Sequence, residues 1–476
     1  MLDLKFSGGR FMSKAHTGVP GATTLATVAR LLAVARLTSA TILAAIAVLA
    51  PQGLQAQATP LQRGSDNIEV LGHLPLGPAL SVSDLDVEQD LARPYAYVSR
   101  MRYGEAGPRG LDIISIEDPE RPKLLYQWRI EDQELHVGTG GMDVKHFKVN
   151  GRHYVVQSLQ FGQGGPDGDL GAVVLDVEGL PDPSSVREVA RIREPLLPGG
   201  FHNIFVYKHS DGRVLLFTTV SGPYANVYDL GKIVEGASPQ EALAGRVPNP
   251  QVSASGSRGY HDFYVAYHPD TDEDRFYGGG AGGYYIYDIT NLEAPELRIS
   301  LTGISGVANG HTFTPSPDGR YVVAESEYEF APLRIFDLQP ALEGRVQTIR
   351  RPISAWTADY RNLVHNHEVR WPLLFVSGYL DGLQVVNLQD PANPVTVGFY
   401  DTYIGPRSTT RTAVFNGAFG IDVRNADGLI LISDMSTGFW TFRMDGFQGW
   451  NGENWGMPDI SSAQKWDEPT RRPISD

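Results

Sequence analysis

Gly382-Leu383-Gln384-Val385-Val386-Asn387-Leu388-Gln389-Asp390-Pro391 is an apolar run with one polar residue near its end, closed by an Asp-Pro turn. A second short run, Val395 to Tyr400, follows directly. β-branched and apolar residues of this length form strands, and Asp-Pro turns the chain. The triplet Val386-Asn387-Leu388 has counterparts along the chain: Ile114-Ser115-Ile116, Leu175-Asp176-Val177, Tyr228-Asp229-Leu230, Tyr287-Asp288-Ile289 and Phe336-Asp337-Leu338. Phe442-Arg443-Met444 is a weaker seventh. Steps of about 50 to 60 residues are the period of a repeat built from one small sheet. Ahead of the triplets, paired apolar runs turn at Asn150-Gly151, Asp211-Gly212, Asp318-Gly319 and Asp427-Gly428, the strongest short hairpin signal. Seven units of about four strands predict an all-β fold, a seven-bladed β-propeller. A pair of β-sandwiches is the alternative, and the even spacing fits it less well.

The first and sixth units continue past their Asp-Pro turns into one more strand, Leu124 to Trp128 and Val395 to Tyr400. The seventh has none after Met444, whereas Asn67 to Leu74 resembles one. This N-terminal strand is expected to complete blade seven and remove an open sheet edge. The expected domains are therefore a leader and signal peptide over 1–58, the propeller over 59–444, and an irregular tail over 445–476 rich in Gly, Trp, Asn and Pro. Arg30 and Arg36 precede the apolar run Leu37 to Leu49, and Ala56-Gln57-Ala58 supplies a small-residue cleavage site. That pattern predicts export to the periplasm or the extracellular space. The run is short of the roughly 20 residues of a membrane helix, and an uncleaved anchor stays open as the alternative.

Among 476 residues there is no Cys, which excludes disulfides, thiolate nucleophiles and Cys-type zinc sites. A formal net charge of −15 argues against a nucleic-acid partner. Gly 52 and Pro 32 suit many turns. No second apolar run is long enough for a membrane span in the mature chain.

Gly382 to Pro394, with its Asp390-Pro391 turn, resembles the LVIVD-repeat family of exported β-propellers, as does Gly110 to Pro119. Tyr284 to Pro295 is a third match, with Leu292-Glu293-Ala294-Pro295 in place of the usual Asp-Pro. The other units depart from the motif, and the third lacks the Pro turn. The resemblance implies the fold and an exported location. It implies little about chemistry, because one fold hosts many activities.

One constellation does suggest chemistry. His202, His261, His311 and His365 each head the first strand of a unit, one in each of blades three to six, at the repeat period. First strands line the central channel of a propeller, so the four imidazoles are expected at one height. Gly141, Phe419 and Ser83 fall at about this place in blades two, seven and one. Imidazole ligates zinc, copper, iron and nickel, and such a ring is a candidate site for one transition-metal ion (Zn, Fe, Cu or Mn). Propellers of the carotenoid-oxygenase and methanethiol-oxidase kinds use channel histidines in this way, a likeness of fold only. A purely structural role, bonding the neighbouring blade's backbone, is the alternative. Asp262, His367 and Glu368, with Asn203 and Asn366, are candidates around the ring, Asp262 as the carboxylate that orients a histidine. Glu325 and Glu327 read either as anchor groups on one rim or as a solvated acidic loop.

Three other patterns carry less. Gly278-Gly279-Gly280-Ala281-Gly282-Gly283 matches a dinucleotide fingerprint, but a strand follows it, so no helix N-terminus receives a phosphate. Asp270, Asp272 and Asp274 alternate as in a calcium loop, with Arg275 where the glycine belongs. Tyr103, Phe161, Tyr224, Tyr284, Tyr328, Tyr379 and Phe439 recur after the second strands and read as core between blades. The expected function is an exported propeller that binds a protein or extracellular ligand, its partner unknown. The alternative is a metal-dependent oxidoreductase or lyase using the four histidines; no catalytic residue and no organic cofactor site is assigned.

Overall fold

Apolar residues on both faces, as in Val214-Leu215-Leu216-Phe217, suit strands buried between layers, and the computed structural model places them so. It describes residues 63–162, 165–253, 256–405, 414–455 and 466–467. The expected signal peptide lies outside the described residues. Seven sheets follow one another along the chain, each antiparallel and built from four strands in order from the axis outward. The innermost strands are Val82–Val87, Gly140–Val149, Ile204–Lys208, Tyr260–His268, Phe313–Pro315, Asn366–Arg370 and Ala418–Arg424. Each touches the next, and the seventh touches the first, so the ring closes. Blade four carries an added fifth strand, Thr348–Ile349, paired in parallel.

The outer strand of blade seven is Ile68–Leu74, paired antiparallel with Gly438–Met444 from Ile68 against Met444 to Leu74 against Phe439. Blade three, without the Pro turn, inserts two short helices, Leu230–Val234 and Pro239–Ala242, before its last strand. Asp229 caps the first, and a Ser238–Glu241 capping box starts the second.

The core lies between blades. Phe205, Phe217, Phe263, Phe276, Tyr284 and Phe313 join blades three to five in one buried cluster. Outermost strands such as Lys123–Arg129 are exposed on one side and carry the mixed, charged pattern expected there. Of the recurring aromatics, Phe161, Tyr284, Tyr379 and Phe439 are buried, whereas Tyr103 is exposed.

The weaker motifs resolve structurally. Gly278 to Gly280 lie inside the second strand of blade four, and a Cβ at Gly279 would overlap the His311 backbone carbonyl. These glycines let the next blade approach. Asp274 is buried and accepts from Tyr207 Oη at 2.6 Å and Ser210 N at 3.1 Å, and Asp272 accepts from Tyr267 Oη. The aspartates thus serve separate local bonds. Past Met444 the chain runs against the propeller, with Trp450 Nε1 donating to the Trp371 carbonyl at 2.9 Å and Lys208 Nζ to that of Trp466 at 2.7 Å.

Candidate metal centre

The innermost strands begin with an interruption of the ladder. Pairing skips from Tyr260 to Asp262 in blade four and from Ala418 to Gly420 in blade seven, leaving His261 and Phe419 as the extra residues. A bulge re-aims its side chain, here toward the axis. A hydroxyl from the second strand receives the freed N–H groups: Thr219 Oγ1 accepts from His202 N at 2.8 Å and Asn203 N at 3.0 Å, and Ser377 Oγ from Asn366 N at 3.2 Å. Ser158 and Ser433 do the same for Asp143 N and Gly420 N. By this bonding the blade-two residue equivalent to the histidines is Met142, one place later than the repeat count suggests.

The four imidazoles form a continuous arc. His202 Nε2 and His261 Nε2 are 2.9 Å apart. The ring centroids of His261 and His311 are 4.3 Å apart, and those of His311 and His365 are 5.2 Å apart. Phe419 stacks on His365 at 3.5 Å. Glu327 joins from the end of the second strand of blade five, with Oε2 3.7 Å from His261 Nε2 and 3.8 Å from His311 Nε2. One ligand atom each from His261, His311 and Glu327 falls within 4.8 Å of the others, close enough to share an ion.

The Nδ1 nitrogens are tied outward. His202 Nδ1 meets Gln160 Oε1 at 2.7 Å, and His365 Nδ1 meets the Phe419 carbonyl at 2.9 Å. His311 Nδ1 lies 2.9 Å from Thr312 Oγ1 and 3.4 Å from Glu325 Oε1, and His261 Nδ1 lies 3.3 Å from the Asn309 amide. For neutral His202 and His365 the oxygen acceptor on Nδ1 fixes the tautomer with a lone pair on Nε2, as a metal ligand requires, whereas His261 Nδ1 accepts from the Asn309 Nδ2 amide, which puts its proton on Nε2. His311 Nε2 is buried with no hydrogen-bond partner, a cost that a bound ion would remove.

Burial, with the neighbouring imidazoles, holds His202, His261 and His365 well below the ordinary histidine value, so these three are neutral at pH 7. Burial pulls His311 the same way, but Glu325 and Glu327 outweigh it and raise it to about 9, so His311 is protonated at pH 7 and gives up its Nε2 proton when it ligates an ion. Burial also raises Glu327. Tyr379 Oη donates to Glu327 Oε1 at 2.5 Å, and Tyr379 itself holds a left-handed backbone (φ 45°), a strained state typical of functional sites. Arg258 is the nearby cation, lowered to about 10 by burial despite the Glu327 charge. Flanking the two ends of the arc, Met142 and Phe419 belong to an apolar cluster with Met101, Leu380 and Met435.

The surrounding residues differ from expectation. Asp262 orients no histidine directly; it accepts from Phe263 N and from Thr312 Oγ1, both at 2.7 Å, and reaches His311 only through Thr312. The bulge turns it one level below the ring. His367 sits at that lower level as well, with Nδ1 3.1 Å from Glu325 Oε2. Glu368 pairs with Arg370 at 2.6 Å, away from the histidines. Glu325 and Glu327 are not a solvated loop: Glu325 is fully buried and Glu327 is 16% exposed on its side chain. Gln160, Arg258 and Asn309 were not signalled. Gln160 was findable, since it stands two residues beyond the ladder hydroxyl Ser158, as Tyr379 stands beyond Ser377.

A second cluster lies between blades one and two. His146 Nε2 and His153 Nδ1 are 3.0 Å apart, and both face Glu88 Oε2, at 3.6 and 3.4 Å. Arg93 Nε donates to that same oxygen at 2.6 Å, and Tyr97 Oη to the other at 2.5 Å. Burial holds His146 down at about 4. The carboxylate is therefore already neutralised.

Comparisons with known proteins bear on the fold alone. No family model matches the chain, and no curated protein matches it. A chain of the solved structure "COPII on membranes, outer coat vertex" is similar over 76% of this chain and 84% of its own length, with a TM-score of 0.52 and 10% identity. A chain of "The structure of the COPII coat assembled on membranes" gives the same score and identity, over 76% of this chain and 47% of its own. The likeness supports the propeller. Among the described residues no helix is long and apolar enough to cross a membrane.

Proposed function

We propose that the protein binds one transition-metal ion between the Nε2 atoms of His202, His261, His311 and His365, with Glu327 beside it, and acts there as a metal-dependent oxidoreductase or lyase. The observation that carries this reading is the convergence of one ligand atom each from His261, His311 and Glu327 within 4.8 Å, with His202 Nε2 2.9 Å from His261 Nε2. Histidines that only braced neighbouring blades would direct their nitrogens to backbone groups, as His365 Nδ1 does to the Phe419 carbonyl. The His311 Nε2, by contrast, has no hydrogen-bond partner among the described residues and lies 3.8 Å from Glu327 Oε2. Four imidazoles suit Zn, Cu or Fe better than Mn, which prefers oxygen ligands. Met142 and Phe419 flank the two ends of the arc and belong to an apolar cluster, Phe419 stacking on His365 at 3.5 Å, which favours a substrate with an apolar portion near the ion.

The exported location belongs to the same reading and rests on the Leu37 to Leu49 run and the Ala56-Gln57-Ala58 site. Kinship with LVIVD-repeat propellers rests on the three motif matches. The test is metal analysis of protein purified without an affinity tag, then reconstitution with Zn, Cu, Fe and Mn in turn. One ion per chain, lost in His261→Ala, is expected. A metal-free protein with no stoichiometric uptake overturns the enzyme reading and leaves a propeller that binds a protein or extracellular ligand through its surface.

A further inference from the structure

Below the histidine arc the axis is crossed by a polar floor. Thr312 Oγ1 bonds Asp262 Oδ2 at 2.7 Å and Asn366 Oδ1 at 2.9 Å, and Asn366 Nδ2 donates to Asp84 Oδ2 at 2.6 Å. Under this floor opens a cavity of about 640 Å³, within the range of small-molecule sites. None of the four histidines lines it, so it is separate from the proposed metal centre.

Its wall is one-sided in charge. Among the described residues nine carboxylates line it against two lysines and no arginine. Some are answered locally: Arg93 holds Glu88, Arg370 holds Glu368 and Asp422, and Lys148 pairs with Asp467. Nearest the axis, Asp84, Asp86, Asp143 and Asp262 share a single ammonium, Lys145, whose Nζ is 2.6 Å from Asp143 Oδ1. One ammonium among four carboxyl groups leaves them short of positive charge in a confined space. Burial first, then the neighbouring carboxylates, pushes Asp84 and Asp86 well above the ordinary carboxyl value.

A second, independent feature points the same way. His367 lines the cavity, is 2% exposed, and has an Nε2 with no hydrogen-bond partner. Because Nδ1 faces Glu325, that Nε2 carries a lone pair and can only accept. An occupant must therefore donate hydrogen bonds as well as carry positive charge. Phe205, Phe263, Tyr264 and Trp450 complete the lining, and aromatic faces attract organic cations.

From this geometry we infer that the cavity is a binding site for a small organic polyammonium ligand, its ammonium groups held by Asp84, Asp86 and Asp143 and its N–H by His367, against aromatic walls. The inference is independent of the metal reading above.

Titration calorimetry of the full chain with putrescine, spermidine and the neutral isostere 1,4-butanediol tests it, after chelator treatment so that the metal centre takes no part. The two amines are expected to bind at one per chain and the diol at least tenfold more weakly. Asp86→Asn keeps an acceptor for His146 N, which Asp86 Oδ2 now serves at 2.6 Å, and should weaken spermidine at least tenfold with unchanged thermal unfolding. His367→Gln should weaken it several-fold, and Trp450→Leu, at the edge of the cavity, supplies a separate check if the Asp86 variant misfolds. Equal binding of diol and amine, stoichiometric binding of calcium or phosphate in place of the amine, or indifference of spermidine to all three substitutions overturns the proposal.

Discussion

The protein contains two histidine clusters made from the same residue types, and they are built for different ends. In the arc of His202, His261, His311 and His365, hydrogen-bond partners sit on Nδ1 and the facing nitrogens are left to one another and to Glu327. In the cluster of His146, His153 and Glu88, the facing nitrogens are already used. His146 Nε2 meets His153 Nδ1 at 3.0 Å with the ring centroids 5.2 Å apart and the planes 22° from parallel, an edge-to-edge N–H···N bond. His202 and His261 have a similar nitrogen separation, 2.9 Å, but their centroids are 4.8 Å apart and the rings tilt by 36°. That contact too has hydrogen-bond geometry, the Asn309 amide on Nδ1 leaving His261 Nε2 to donate to His202 Nε2, so the difference lies in what the remaining groups, His311 Nε2 and Glu327 Oε2, are left without. The Glu88 carboxylate is also saturated by Arg93 and Tyr97, while Glu327 retains its Oε2. Closeness of ligand atoms does not make a metal site; the groups left without a partner and the charge left over do.

Four experiments sharpen that contrast. The largest effect is expected at Glu88. Glu88→Gln leaves Arg93 buried without its counter-charge and should cost about 3 to 5 kcal/mol in denaturant unfolding, with metal content untouched. The next is acid sensitivity. His146 titrates near 4 in the folded protein because burial disfavours its charged form, and near 6.5 when unfolded. The unfolded chain therefore takes up the proton first. The contribution of His146 is level above pH 6.5 and falls by about 3 kcal/mol as pH drops to 4, in the same sense as those of the buried His202, His261 and His365. Glu88 acts in the same sense at lower pH: burial would raise it, but its histidine and arginine partners hold it at about 2. His146→Asn should flatten the slope between pH 6.5 and 4 in an unfolding series.

On the other side of the comparison, His311→Ala should weaken metal binding at least about a hundredfold, more than loss of a supporting partner does. His153→Asn should leave metal content unchanged, and a parallel loss in both variants would erase the distinction. The smallest effect is expected at Glu327. Glu327→Gln keeps an acceptor for Tyr379 but removes the charge beside the ion, and competition with a chelator should show a loss of about tenfold.

Much of this was legible in the sequence. The polar-centred triplets and Asn-Gly or Asp-Gly hairpins marked the blades, and Asn67 to Leu74 was marked as a strand by its likeness to Val395 to Tyr400. The histidines were legible because a repeat converts period into angle around an axis. What was not legible depends on the bulge. A ladder interruption leaves no mark in the residue types, yet the one at His261 puts Asp262 on the floor below, and the one between Gly141 and Val144 makes Met142 the blade-two equivalent in place of Gly141. Glu325 and Glu327 looked like a solvated loop because a run of acids usually is one. Their burial follows from His311, which pairs with Glu325 across the hairpin of the same blade, and from His367 of the next blade, which sequence does not place near. His146 and His153 fall out of register with the other histidines, and Glu88 comes from another blade, so nothing in the period joined them.

X-ray absorption at the K-edge of the reconstituted ion tests the central claim most directly. Scattering from three or four imidazole nitrogens at about 2.0 to 2.1 Å, with one imidazole fewer in His202→Ala, is the predicted result. An oxygen-only shell, or a shell unchanged in that variant, would contradict it.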